Sequence, residues 1–294
     1  PHNGHSNSYS ALLNLLDDVR FCRGIDVDPG MVKDIMVRRL KEDIRVIGAD
    51  LFPERKVERL LIDGLPEDCP ELTLPKLLSD YYEIRKRRVA GLPPGKRSTT
   101  TIVFSTLQQR LLSSIKAFHA TLVVHRKTME RVWAKDSGKV VQFNEAQATI
   151  LTTAVGVDDE LAHCAEEERA GYEVRAMEAA TLAAGGDSSA ADIAEEKAIL
   201  DKMITIASTA ADRPDNRVMK LLEIIQSQMC SGVNIPGQPA PASGAAWTDR
   251  RIIVFTQWDE TLRWLKRILD NAIRGSDRDS FRIEVYSGST GEDK

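Results

Sequence analysis

The sequence predicts an α/β protein with a large α-helical insertion, on three observations. Near the C-terminal end, Ile252-Ile253-Val254-Phe255 is a short apolar, β-branched run of the kind that forms a strand buried on both faces of a parallel sheet. A helical stripe and a second alternating run, Phe281, Ile283 and Val285, follow it, and together they read as one βαβ unit. Between an early strand candidate, Lys56 to Asp63, and that unit lie 188 residues dominated by helical periodicity.

The elements follow in order. Pro1 to Ser8 is turn-rich, and Ser8 is placed to cap a short helix carrying Leu12, Leu13, Leu15 and Leu16. Gly24 to Gly30 reads as a loop. Met31 to Ile44 reads as a helix that becomes basic at Arg38-Arg39-Leu40-Lys41, and Phe52-Pro53 breaks it. Lys56 to Asp63 alternates partially, as an edge strand does. Glu71 to Val89 is helical and stops at Gly91-Leu92-Pro93-Pro94-Gly95, which forbids continuation. Leu107, Leu111, Ile115, Phe118 and Leu122 recur at spacings of four and three, the stripe of one long core-facing helix. The beginning of that helix, Thr99 to Phe104, is β-branched enough for a strand as well. Gly138 to Asn144 is a connector. Asp158 to Ala184 and Ser189 to Ala211 are Ala/Glu-rich helices separated at Gly185-Gly186-Asp187. Arg217 to Met229 is a shorter helix, and Asn234 to Ala246, rich in Pro, Gly and Ala, is the linker candidate. In the βαβ unit, Asp259 is placed to cap a helix whose inner face is Leu262, Leu265, Ile268 and Leu269.

At 29% charged and 42% hydrophobic residues, the composition is that of an ordinary soluble domain. The net charge of −4 argues against nucleic acid only as an average. Positions 1 to 140 hold 24 basic against 18 acidic residues, whereas positions 158 to 197 hold 12 acidic against 3 basic. Cys22, Cys69, Cys164 and Cys230 are scattered without a C-x-x-C pair, which favours isolated thiols in a cytoplasmic protein over a disulfide framework or zinc site. No apolar run approaches the roughly 20 residues needed to span a bilayer. The chain opens in mid-turn without an initiator Met, so the sequence reads as an internal piece of a longer protein.

No catalytic constellation is complete. The sequence has no G-x-x-x-x-G-K-[ST] phosphate loop, no acidic strand-end box and no G-x-S-x-G elbow. His2 and His5 lack the companions of a metal site, and none is expected; His119, His125 and His163 stand singly on helices, where packing explains them. Thr256-Gln257-Trp258 precedes a helix N-terminus, whose free N–H groups favour phosphate, although an acidic cap at Asp259 competes for them. Arg38-Arg39-Leu40-Lys41 suits a nucleic-acid backbone or, more simply, a solvated helix face. Arg85-Lys86-Arg87-Arg88 sits at a helix C-terminus, where the dipole alone favours cations.

Taken in order, several segments resemble those of SNF2-type ATPases. Pro1-His2-Asn3-Gly4 resembles the end of motif III, and Met36 to Ile44 the R-R-x-K-x-D segment of the first RecA-like lobe. Phe52-Pro53-Glu54-Arg55 fits the turn after it, and Asp215 to Leu222 is similar to the helix leading into the second lobe. Ile252 to Leu269 resembles motif IV, and Tyr286-Ser287-Gly288-Ser289-Thr290 the Y-x-G-S-T element. The middle, including Gln109 to Ser114 and Ala117-Phe118, resembles the helical insertion of bacterial SNF2-like helicases, the SNF2-like component of DISARM anti-phage systems among them.

The resemblance implies the end of one RecA-like lobe over 1–65, a helical insertion over 66–233, a linker over 234–246 and the start of a second lobe over 247–294. It implies a cytoplasmic, ATP-driven motor moving on double-stranded DNA. ATP and Mg would be bound mainly by segments before Pro1 and after Lys294, leaving this piece inactive alone and without a catalytic residue. His2 and Asn3 would couple hydrolysis to lobe movement. Arg38, Arg39 and Lys41, then Thr256, Gln257 and Trp258, then Ser287, Ser289 and Thr290 would be DNA-backbone contacts. The acidic helices of 158–197 would repel DNA and lie on the outer face or against a protein partner. Two alternatives stay open: a helical protein-interaction module in a motor without ATPase activity, and a strand-separating helicase.

Overall fold

The structure, a computed structural model, describes residues 6–37, 56–134, 143–152, 166–185 and 189–286. The chain forms two compact units, one of residues 1–61 with 156–159 and one of the remainder.

In the first unit, α1 (Ser6–Leu16) and α2 (Pro29–Ile35) enclose a small core of Leu13, Phe21 and Val32. Of the four leucines α1 carries, Leu13 alone is buried. The loop between the helices is tied down. Asn14 donates to the Phe21 carbonyl at 2.6 Å, and the Gly24 N–H donates to the Ser10 hydroxyl at 3.0 Å. Asp28 caps α2 by accepting the Gly30 N–H at 2.8 Å, and Pro29 starts the helix without wasting a donor. The helix expected to run to Ile44 is interrupted early, because Met36 is already extended at φ −129°.

The α/β expectation, with its two RecA-like lobes, is overturned: among the described residues there is no strand. Lys56 to Asp63 is irregular and, apart from half-buried Ile62, exposed. Ile252 to Phe255 is irregular and makes no ladder hydrogen bonds, with Ile253 78% and Phe255 90% exposed. Phe281 falls in a 3₁₀ turn, Asp279–Phe281. The physical reason is that β-propensity describes a side chain's fit to a pleated surface, whereas a ladder needs a second extended backbone to exchange hydrogen bonds with. No described segment offers one to residues 252–255.

What the second unit builds instead is a helical bundle of α3 (Pro70–Val89), α4 (Pro94–Ser113), α5 (Ile115–Trp133), α7 (Glu166–Ala183) and α8 (Ala190–Ala210), with the short α6 (Glu145–Thr152) against α4 and α7. Central α5 packs on α4, α7 and α8, and α3 packs on α4 and α8. The stripe read as one long helix is two. At Ser114 the backbone is extended (φ −162°, ψ 153°), its N–H closes α4 on the Arg110 carbonyl, and its hydroxyl caps α5 by accepting the Ala117 N–H at 3.0 Å. Both helices turn their apolar face to the same core, so Leu107, Leu111, Ile115, Phe118 and Leu122 are all buried across the break. Thr99 to Phe104 is helical. The hydroxyls of Thr99, Thr100 and Thr101 each donate to the carbonyl four residues back, which reconciles this β-branched run with a helix. Ala176 and Ala180 let α7 approach the core closely.

Beyond the bundle, α9 (Asn216–Gln228) is capped by Asp215, which accepts the Val218 N–H at 2.9 Å, and α10 (Asp259–Ile273) packs on both α9 and α5. The Pro/Gly/Ala-rich stretch 234–246 is fastened to the end of α10. Ile235 is buried, the Asn234 N–H donates to the Ala272 carbonyl, and the Gly244 N–H donates to the Gly275 carbonyl. Val218, Leu222, Ile225, Val233, Trp264 and Ile268 form a second core there.

Candidate functional site

The first turn of α10 meets the bundle at a polar joint. Trp258, not Asp259, is the N-cap residue, and it makes no side-chain cap. Asp259 lies inside the helix, where a carboxylate complements the positive dipole end, and accepts two hydrogen bonds from Arg169 of α7, Nε at 2.9 Å and Nη2 at 2.6 Å. Trp258 is buried, with the Arg110 guanidinium of α4 stacked 3.6 Å from its ring centroid. Arg110 also donates to Glu173 Oε2 at 2.6 Å. The hydroxyls of Ser113 and Ser114, at the α4–α5 break, each bond the Thr261 hydroxyl at 2.8 Å.

Beside this joint opens a cleft of about 510 Å³. Gln109, Leu112 and Ser113 line it from α4, Arg217, Val218 and Leu221 from α9, Val254 to Gln257 from the segment before α10, and Trp264 and Leu265 from α10. Arg217 is committed to Asp215 and to the Leu112 carbonyl. Four buried side-chain atoms around the joint have no protein partner: Gln109 Oε1, Arg110 Nε, Trp258 Nε1 and Trp264 Nε1. Three of the four are N–H donors, so the site is rich in donors and poor in acceptors.

Of the residues expected to grip DNA, Thr256 is half-buried and Gln257 exposed, both on the cleft, while Trp258 is enclosed. The structure brings these three to the first turn of α10. His2, Asn3, Arg38, Arg39, Lys41, Ser287, Ser289 and Thr290 lie outside the described residues. Within the acidic stretch, 158–165 also lies outside. Two of its carboxylates are turned inward: Glu173 to Arg110, and Glu196, wholly buried, to Arg85 and Arg88. Trp133 Nε1 donates to the other oxygen of Glu196 at 3.1 Å. The basic cluster at the end of α3 is therefore half internal. Lys86 and Arg87 reach the surface carboxylates Glu83 and Glu195. Arg110, Arg169, Glu173 and Glu196 were not legible as a set, because each finds its partner on another helix, 63 to 111 positions away.

A second buried polar group lies inside the bundle. Tyr81 Oη and His125 Nε2 are 2.7 Å apart, and His125 Nδ1 is 2.9 Å from the Thr181 hydroxyl. Burial, then the neighbouring Arg85, pushes His125 down to about 3, and burial pushes the Tyr81 phenol up. His125 is thus a neutral, fully engaged core histidine.

No protein-family model, curated protein or solved structure matches this chain. Among the described residues no group of three or more His, Cys, Asp or Glu side chains is placed to hold a metal ion, and no helix is long and apolar enough to cross a membrane. With no phosphate loop in the sequence and no such carboxylate group, the described residues do not fit a magnesium–ATP complex.

Proposed function

We infer that this chain serves in a cytoplasmic, ATP-driven motor acting on double-stranded DNA, as SNF2-type proteins do, with the helical bundle as the rigid arm bearing the Thr256–Asp259 turn. The reading does not rest on a RecA-like sheet, which the described residues lack. The observation that carries it is positional. The turn whose sequence resembles a DNA-contacting motif is the point at which α4, α5 and α7 grip α10 through Arg110, Ser113, Ser114 and Arg169. Movement of the bundle is therefore transmitted to that turn through side chains with fixed partners. Thr256 and Gln257 present polar groups at the cleft for a phosphate backbone. ATP and magnesium belong to other segments of such a motor, and no step of hydrolysis is assigned to the described residues.

The test is ATP turnover by the full-length protein with and without double-stranded DNA. Stimulation by DNA is expected, and its absence overturns the reading. Gln257→Ala should weaken DNA binding across all sequences alike, since a backbone contact carries no sequence information. A second reading, a helical protein-interaction module in a motor without ATPase activity, draws on the exposed Ile253 and Phe255 beside the cleft. It predicts no turnover under either condition. Strand displacement on a tailed duplex separates a helicase from a translocase.

A further inference from the structure

We propose that the joint between α4, α7 and α10 is a latched anion site, closed by the Arg169–Asp259 pair and opened by a ligand carrying phosphate oxygens. Arg110 Nε and Trp258 Nε1, on side chains packed against each other at the start of α10, and Trp264 Nε1, one turn further along that helix, are donors on side chains at least nine-tenths buried and lack acceptors. A buried donor left unbonded costs on the order of 1–3 kcal/mol, and a group with several acceptor oxygens can relieve more than one of them. The surrounding chemistry points the same way. Arg110 and Arg169 are planar forks already engaged with carboxylates, the geometry that also takes phosphate. The first turn of α10 adds its free N–H groups.

The charges explain why the site is closed. Arg110 and Arg169 are balanced by Glu173 and Asp259, with Glu260 and Asp215 close by in sequence to the same elements, so no net positive charge is left for an anion. Entry requires Asp259 to release Arg169. Release frees one fork at the start of α10, beside the 510 Å³ cleft. The proposal deepens the DNA reading by naming the bundle residues that would govern the turn, and it rests on that reading only for the source of the phosphate.

The experiment titrates the full chain with pyrophosphate, and separately with a short DNA duplex, following tryptophan fluorescence. Pyrophosphate should shift the emission of Trp258 as its guanidinium neighbour moves, in a saturable way. Asp259→Asn, which weakens the latch and keeps a residue suited to a helix start, should lower the half-saturating concentration about tenfold, equivalent to 1.4 kcal/mol. Arg110→Lys, which keeps the charge and loses the fork, should raise it by a similar factor. Trp258→Phe should reduce the shift to what Trp264 contributes while leaving binding measurable by calorimetry. Absence of saturable pyrophosphate binding in both the native chain and Asp259→Asn overturns the site. So does binding that is indifferent to Arg110→Lys. Pyrophosphate binding without duplex binding leaves the site standing and removes the DNA reading; duplex binding that ignores Arg110 does the reverse.

Discussion

The interior of the bundle and the joint at α10 are both polar places in a helical protein, yet they are built in opposite ways. Inside the bundle, Glu196 is wholly buried between Arg85 and Arg88, Trp133 binds its second oxygen, and Arg85 also reaches the Ala184 carbonyl at 2.7 Å. Tyr81, His125 and Thr181 bond one another in sequence. At the joint, ion pairs coexist with three donors that have no acceptor, whereas Arg88 Nη1, the interior atom without an aligned hydrogen bond, still lies against Glu196 Oε1. A satisfied buried network specifies one arrangement, because every alternative strands a charge. An unsatisfied one leaves free energy to be gained by rearranging. The contrast separates a framework from a device.

The largest break should come from inside. Glu196→Ala leaves two buried guanidinium groups without their carboxylate and should destabilise the second unit by about 3–5 kcal/mol, read as a loss of midpoint in urea unfolding followed by circular dichroism. An unchanged midpoint would mean that Glu196 is not what holds α3 to α8.

Acid should find the same region. His125 is neutral in the fold down to about 3 and takes a proton near 6.5 once unfolded, so its contribution is intact above about 6.5 and is lost progressively as the pH falls toward about 3. Unfolding free energies measured at intervals across that window should decline with falling pH. In His125→Gln that part of the slope should vanish; an identical slope would assign it to carboxylates instead.

At the joint the effects should be smaller. Ser114→Ala removes the cap of α5 and one of the two hydroxyls on Thr261, and should cost about 1 kcal/mol in the same urea assay. The smallest effect belongs to residues 252–255. Phe255→Ser changes a side chain that is 90% exposed and should move stability by no more than about 0.5 kcal/mol. A larger loss would show that residues 252–255 are covered in solution.

The helices that were legible in the sequence are those whose period and stops agree. Pro70–Val89 ends before a Gly/Pro cluster, and Ala190–Ala210 begins at a capping box of Ser189 and Asp192. The break at Ser114 was not legible, because the apolar stripe runs through it without a Gly or Pro; the stripe records which face meets the core and is silent about one extended residue within it. The strands failed for a different reason. Ile252 to Phe255 has the composition of a buried strand, but pairing is decided by a partner remote in sequence.

Of the candidate site, the sequence pointed to Thr256, Gln257 and Trp258 at a helix start, and the helix starts there. It missed Arg110 and Arg169, lone cations on long helices with nothing local to mark them. By itself, then, the sequence determined broadly where helices form and which faces of the bundle helices are apolar, since these depend on neighbours within a turn or two, while the caps read at Ser8 and Asp259 fall inside their helices. Tertiary structure alone decided whether an apolar run is a strand, whether Trp258 is open or enclosed, and which carboxylate each arginine meets. Those outcomes depend on groups 60 to 150 positions apart, brought together by helix packing rather than by anything written between them.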